Sequence, residues 1–168
     1  VGDGDHRAAG DGETFELLLG PPARRAQGRQ HVVDEALGQN LFKLMTEGPE
    51  DALTLTENAQ PAIMANAIAT LRVVEQEGGI RLADKADFVA GHSLGEYTAL
   101  CAAGALDLAT TAKLLKLRGQ AMQAATPVGT GAMAALLGAD IEKAQALADA
   151  AAQGDVCTVA NDNDPSQV

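Results

Sequence analysis

Gly91-His92-Ser93-Leu94-Gly95 is a G-x-S-x-G, and a serine in that setting can serve as a nucleophile. Asp87–Ala90 just ahead is a short apolar run bounded by charge, the pattern of a buried strand. From Leu94 onward, Leu94, Tyr97, Thr98, Leu100 and Cys101 fall near one helical face, with Gly104 as the stop. Strand, tight turn and helix together make a nucleophile elbow, in which the glycines let strand and helix crowd while Ser93 is pushed into a strained, exposed conformation. The backbone N–H of Leu94, at the helix start, then points where an oxyanion forms. Three fixed positions in a chain with 18 glycines are a weak signal alone, so the flanking elements carry the weight. The bland reading is a glycine-rich connection that merely holds a serine.

A serine at neutral pH needs an adjacent base, and histidine is the usual one. The chain holds His6, His31 and His92. His92 abuts Ser93, but neighbours along a strand point to opposite faces, so its expected role is packing or hydrogen bonding beneath the elbow. His6 and His31 lie in an atypical leader, and no histidine follows Ser93. The chain therefore has no obvious general base. Arg118, in K-L-L-K-L-R-G-Q-A-M, is a different kind of candidate. Turned inward, its planar fork holds a carboxylate bidentately; turned outward, it is a surface arginine. Gln60, just before Pro61, either supplies an amide to the site or caps a helix. Asn161 and Asn163 suit turns.

These residues sit in a chain of 168 residues, 46% hydrophobic, long enough for one domain with a sizeable core. A mean hydropathy of −0.02 reads as soluble and globular. No apolar run approaches the roughly 20 residues of a membrane helix, and Val1–Gly12 has no basic-then-apolar signal pattern. Cys101 and Cys157 have neither disulfide-framework nor metal-ligand spacing and read as reduced cysteines of a cytoplasmic protein. The formal charge of −11 argues against nucleic-acid binding, where a basic face supplies the affinity, and describes a solvated surface.

Residues 1–32 are rich in Gly and Arg without a sustained period, apart from a strand-like Thr14–Leu19. Val32, Val33, Ala36, Leu37, Leu41, Leu44 and Met45 then recur at helical spacing, broken at Gly38 and ending at Gly48-Pro49. Pro61 is placed as a first helical residue, with Ile63, Ala67, Leu71 and Val74 as the apolar face and Gly78-Gly79 as the stop. Asp107 is an N-cap for a helix to about Ala125, with Ala112, Leu115, Gly119 and Met122 on one side. A turn-rich hinge at Pro127–Gly131 precedes a small-residue strand (Ala132–Leu137), a helix (Ile141–Ala152) and a second strand (Val156–Ala160).

With T-E-N-A-Q-P-A-I ahead of G-H-S-L-G-E-Y, and L-R-G-Q-A-M, G-T-G-A-M-A-A-L and N-D-N-D-P-S-Q-V after it, the sequence resembles the malonyl-CoA:acyl carrier protein transacylases of fatty acid synthesis. More distantly it resembles the acyltransferase domains of polyketide synthases. The likeness runs from about Val33 to Val168, and five spaced motifs in order are highly specific. It implies an α/β fold, an α/β-hydrolase-like core (incomplete) followed by the start of a ferredoxin-like subdomain. Residues 33–127 are then a partial hydrolase-like acyltransferase core, and 128–168 the truncated beginning of the subdomain. Residues 1–32 stand apart as a leader, disordered or out of frame.

The resemblance makes Ser93 the nucleophile that takes malonyl from malonyl-CoA as an ester, and Leu94 the donor of an oxyanion N–H. Arg118 becomes the partner of the malonyl free carboxylate. Gln60 lines the pocket, His92 lies beside it, and Asn161 and Asn163 match an N-x-N near the acyl site. Leu94 after the serine, where methylmalonyl-selective relatives commonly have glutamine, leans toward malonyl. No cofactor or metal is implied; the partners are malonyl-CoA and phosphopantetheinylated acyl carrier protein, with no nucleic acid or membrane, and the protein is expected as a monomer. Lys113 and Lys116 accompany Arg118 on one helix as basic residues for an acidic carrier.

Two departures stand out. The family opens with G-Q-G-S-Q, whose first glutamine gives the second oxyanion N–H, whereas Glu16–His31 carries no such motif. The family's catalytic histidine comes after the insert and has no counterpart here, so the chain reads as about half an enzyme, an inactive fragment. The alternatives are a serine esterase or hydrolase of the G-x-S-x-G type, with water as acceptor, and a non-catalytic remnant.

Overall fold

The computed structural model describes residues 32–127 and 129–168. The leader, except Val32, and the strand expected at Thr14–Leu19 lie outside the described residues, as do His6 and His31. The chain divides into two compact units, one ending at Thr126 and the other spanning Pro127–Val168.

In the first unit residues 32–37 are helical and Gly38, at φ 60°, breaks the run. The Asn40 side chain accepts from Lys43 N at 2.9 Å and caps α1 (Leu41–Glu47). A short α2 (Glu50–Thr54) leads into the long α3 (Thr56–Gly78), which Gly79 closes in the left-handed conformation at φ 62°. A 3₁₀ turn at Leu82–Asp84 precedes α4 (Leu94–Ala102) and α5 (Leu108–Ala125). Asp107 caps α5 as expected, accepting from Thr110 N at 2.8 Å. Helix α3 packs chiefly on α5 and next on α4. Met64, Ile68, Ala112, Leu115 and Cys101 join Val33 and Leu41 in the core. Each fully buried Leu or Met side chain there contributes roughly 1.5–3 kcal/mol by leaving water.

Two expectations for α3 are corrected. Pro61 is not its first residue but lies in the second turn, because the Leu55 carbonyl already accepts from Asn58 N and Ala59 N, both at 2.8 Å, and starts the helix earlier. A proline there forfeits one intrahelical bond, to Glu57 O. The buried face is also turned: Ala62, Met64 and Ile68 are inside, while Ile63 is 54% exposed and Ala67 and Val74 are exposed too. Apolar residues occur on more than one side of α3, and periodicity alone does not say which side meets α5.

In the second unit α6 runs over Ile141–Ala152, the range expected, with Asp140 accepting from Lys143 N at 2.8 Å. Leu136 and Val168 exchange backbone bonds at 2.8 and 3.2 Å, and Gly138 N donates to Ser166 O at 2.7 Å.

No strand forms among the described residues. Asp87–Ala90 has no ladder partner among the described residues, with Phe88 92% exposed. Ala132–Leu137 is paired only at its end, and Val156–Ala160 not at all. A strand exists only where a neighbour takes up its N–H and C=O groups; among the described residues none does so for Asp87–Ala90 or Val156–Ala160, and the pairing of Leu136 with Val168 is too short to make a ladder.

Candidate active site

The elbow is a backbone construction. Ser93 has φ 55° and ψ −117°, a region that a side chain rarely adopts and that typically costs about 1–3 kcal/mol. Directly after it, Gly95 N donates to His92 O at 2.9 Å and Glu96 N to Ser93 O at 3.2 Å. Gly91 permits the turn: a Cβ there would lie 1.9 Å from Gly95 O. Gly95 itself has open space where its Cβ would be, so it contributes the approached backbone rather than a missing side chain. Leu94 is the first residue of α4, and its N–H therefore has no intrahelical partner.

Helix α5 brings the second group. Gly119 is buried at the crossing with α3, where a Cβ would sit 2.4 Å from Glu57 Cα and 2.7 Å from Thr56 O. That close approach carries the neighbouring Arg118 to the elbow. Arg118 Nη2 donates to Ser93 Oγ at 2.9 Å, and Nη1 donates to Gln60 Oε1 at 2.5 Å. Gln60 is 4% exposed and anchored in turn, with Nε2 donating to Thr56 Oγ1 at 2.7 Å and lying 3.3 Å from Met122 Sδ. The guanidinium also stands 6.0 Å from the centre of the Tyr97 ring, within cation–π range.

The structure thus brings Ser93, Leu94, Arg118 and Gln60 together. His92 is exposed rather than packed beneath the turn. Asn161 and Asn163 belong to the second unit, where Asn163 N donates to Gln167 O at 3.2 Å in the closing turn. Thr56, Met122 and Tyr97 read in the sequence only as motif and helix-face residues, not as parts of the site. Tyr97 follows Ser93 by one helical turn, which is the signal that marks it.

Chemically, the assembly pairs a hydroxyl with a fixed cation. A guanidinium has no lone pair with which to take the serine proton, so it binds and orients but does not activate. Among the described residues no cluster of His, Cys, Asp or Glu is able to hold a metal ion, and no helix is long and apolar enough to cross a membrane.

The model of the acyl transferase domain matches residues 21–168, starting within the leader. The chain belongs to the acyl transferase domain family. Among curated members, the malonyl CoA-acyl carrier protein transacylase of Escherichia coli K12 is 44% identical over 133 residues, covering 79% of this chain and 42% of that protein. Among solved acyl transferases, the acyl-carrier-protein-S-malonyltransferase from Bartonella henselae is 48% identical with a TM-score of 0.80, covering 90% of this chain and 48% of that one. A type II polyketide synthase acyl-carrier protein in complex with its malonyl-transacylase matches at 36% identity and a TM-score of 0.74, covering 92% of this chain and 46% of that one. The chain thus spans a little under half the length of these relatives and has their α/β acyltransferase fold, although its own described residues form helices alone.

Proposed function

We propose that the protein to which this chain belongs transfers malonyl from malonyl-CoA to the phosphopantetheine thiol of acyl carrier protein in fatty acid biosynthesis. The Ser93 Oγ–Arg118 Nη2 contact of 2.9 Å carries this reading. Ser93 Oγ attacks the thioester carbonyl, the Oγ–C bond forms, and the C–S bond breaks as CoA leaves with a proton. The carrier thiol sulfur then attacks the ester carbonyl, the S–C bond forms as the Oγ–C bond breaks, and the thiol's proton ends on Ser93 Oγ. In malonyl the free carboxylate is two bonds from the reacting carbon. A guanidinium within hydrogen-bond reach of the nucleophile is therefore where that carboxylate must lie. A monoacyl ester has nothing for this cation to hold, which favours a diacid over the esterase alternative.

Leu94 N–H is the oxyanion donor, Gln60 fixes the guanidinium, His92 borders the pocket, and Asn161 and Asn163 are the counterpart of the family's N-x-N motif. Residues 33–127 are part of the hydrolase-like core and 128–168 the opening of the ferredoxin-like subdomain, in a cytoplasmic protein without a resident cofactor. The relative crystallised with an acyl-carrier protein supports that class of acceptor.

The test is peptide mass spectrometry of Ser93 after incubation with malonyl-CoA or acetyl-CoA, on this chain fused to the carboxy-terminal remainder of the Bartonella henselae relative. Malonylation at Ser93, faster than acetylation, is expected. Equal acylation by both donors, or acylation elsewhere, overturns the reading.

A further inference from the structure

The crossing at Gly119 is straddled by two sets of side chains. Successive helical residues are rotated by roughly 100°, so Lys116 and Gln120 lie to one side of Gly119 and Arg118 to the other. On the first side Lys116 Nζ donates to Gln39 Oε1 and Asn58 Oδ1, both at 2.9 Å, and meets Glu57 Oε2 at 3.1 Å. Gln120 Nε2 donates to the same Glu57 oxygen at 3.2 Å. Asn58, 6% exposed, is held independently by Nδ2 donating to Ala52 O at 2.9 Å. On the second side stands the Arg118–Gln60 bond.

We infer that Lys116 is a positioning residue for Arg118: its ammonium locks the rotation of α5 on α3 from one flank, so that the guanidinium on the opposite flank stays on Gln60 and Ser93. Gly119 has no side chain, so packing at the crossing point does not resist rolling of α5 about its own axis. Thr111, Ala112 and Leu115 hold the preceding turns of α5, and at the crossing itself the resistance comes from the flanks. An ammonium with all three donors engaged, two of them on buried or part-buried amides, supplies a directional lock that a surface lysine does not. The acceptors sit in two places, one at the end of the first helical segment and two at the start of α3, so Lys116 ties α5 to both. Only the last consequence, tighter hold on a diacid carboxylate, rests on the proposed malonyl transfer.

The experiment uses the 168-residue chain and phenylglyoxal, which modifies accessible guanidinium groups, with Arg118 followed by peptide mass spectrometry. Lys116→Met, which keeps length and removes the donors, is expected to label Arg118 severalfold faster at unchanged helical circular dichroism. Lys116→Arg restores slow labelling. If Lys116→Met fails to fold, Gln39→Met, which removes one acceptor of the ammonium together with the 3.0 Å bond from Gln39 Nε2 to Asn58 Oδ1, shows the same acceleration in smaller measure. Labelling at the parent rate in folded Lys116→Met or Gln39→Met overturns the inference, as does Lys116→Arg labelling as fast as Lys116→Met. Malonate is then added as protectant. Protection of the parent that weakens in Lys116→Met extends the inference to the substrate. Absence of protection in every protein, with the labelling differences intact, counts against malonyl transfer and leaves the positioning role standing.

Discussion

Arg118 Nη2 donates to the lone pairs of Ser93 Oγ across 2.9 Å, so the cation proposed to hold the substrate rests on the nucleophile itself. A hydroxyl that accepts from a guanidinium is a weaker nucleophile than a free one. The carboxylate of an incoming diacid is the stronger acceptor and draws the guanidinium off.

Substitution of Arg118 therefore separates donors. In the fusion described above, Arg118→Ala is expected to slow Ser93 malonylation by roughly 10–100-fold, the value of one hydrogen bond to a charged group, and to leave acetylation unchanged or faster. Arg118→Lys keeps the charge but not the fork and falls between. Parallel acylation time courses with the two donors check this.

The isolated chain is expected to transfer malonyl at no appreciable rate. Among the described residues Ser93 Oγ meets a donor and no base, and removing a triad base costs about as much as removing the nucleophile. Rapid Ser93-dependent acylation of the 168-residue chain, read by intact-mass spectrometry, contradicts this.

Gly119→Ala places a Cβ against the backbone of Glu57 and Thr56, which has no rotamer with which to yield. Overpacking of this kind typically costs about 1–3 kcal/mol, and urea unfolding should show a lower midpoint at unchanged slope. Arg118 should also label faster, because the helices must part. Gly91→Ala meets Gly95 O in the same manner and is expected to remove the elbow rather than loosen it.

Leu115→Ala empties the fully buried contact between α5 and the core and should cost about 2–5 kcal/mol. Leu117→Ala, one exposed position further round the same helix, serves as the near-neutral control.

Acid should weaken the α3–α5 joint through Glu57. The Lys116 ammonium, and then the Gln120 amide, hold its carboxyl below the ordinary value of 4.5. A depressed folded-state pKa means that stability is fully present above the unfolded value and is lost as pH falls through the folded one. Urea midpoints should therefore drop below pH 4.5, and Glu57→Gln should flatten that dependence. An unchanged slope in Glu57→Gln would place the acid sensitivity elsewhere.

Local chemistry was readable from the chain; long-range geometry was not. The Asp107 cap, the Gly79 stop and the bounds of α6 follow from residues within a few positions of one another, and the structure has them as read. The elbow was legible because Gly91, Ser93 and Gly95 are close in sequence. Which face of α3 turns inward depends on α5, some fifty residues on, and Ile63 and Val74 are apolar without being buried. Strand pairing at Asp87–Ala90 was illegible for the same reason, since a neighbour must come from afar and none stands there among the described residues. The Lys116 lock was invisible because Lys, Gln, Asn and Glu read singly as a solvated face, and only the fold gathers them.

Phe88 gives the polypeptide an adhesive streak, since its ring stands in water with no ladder partner for its backbone among the described residues. Two copies laid side by side there would satisfy each other's amides and hide both rings at once. Purification then calls for dilute handling or a gatekeeper charge such as Phe88→Lys, which disfavours the clump without touching the elbow's own turn.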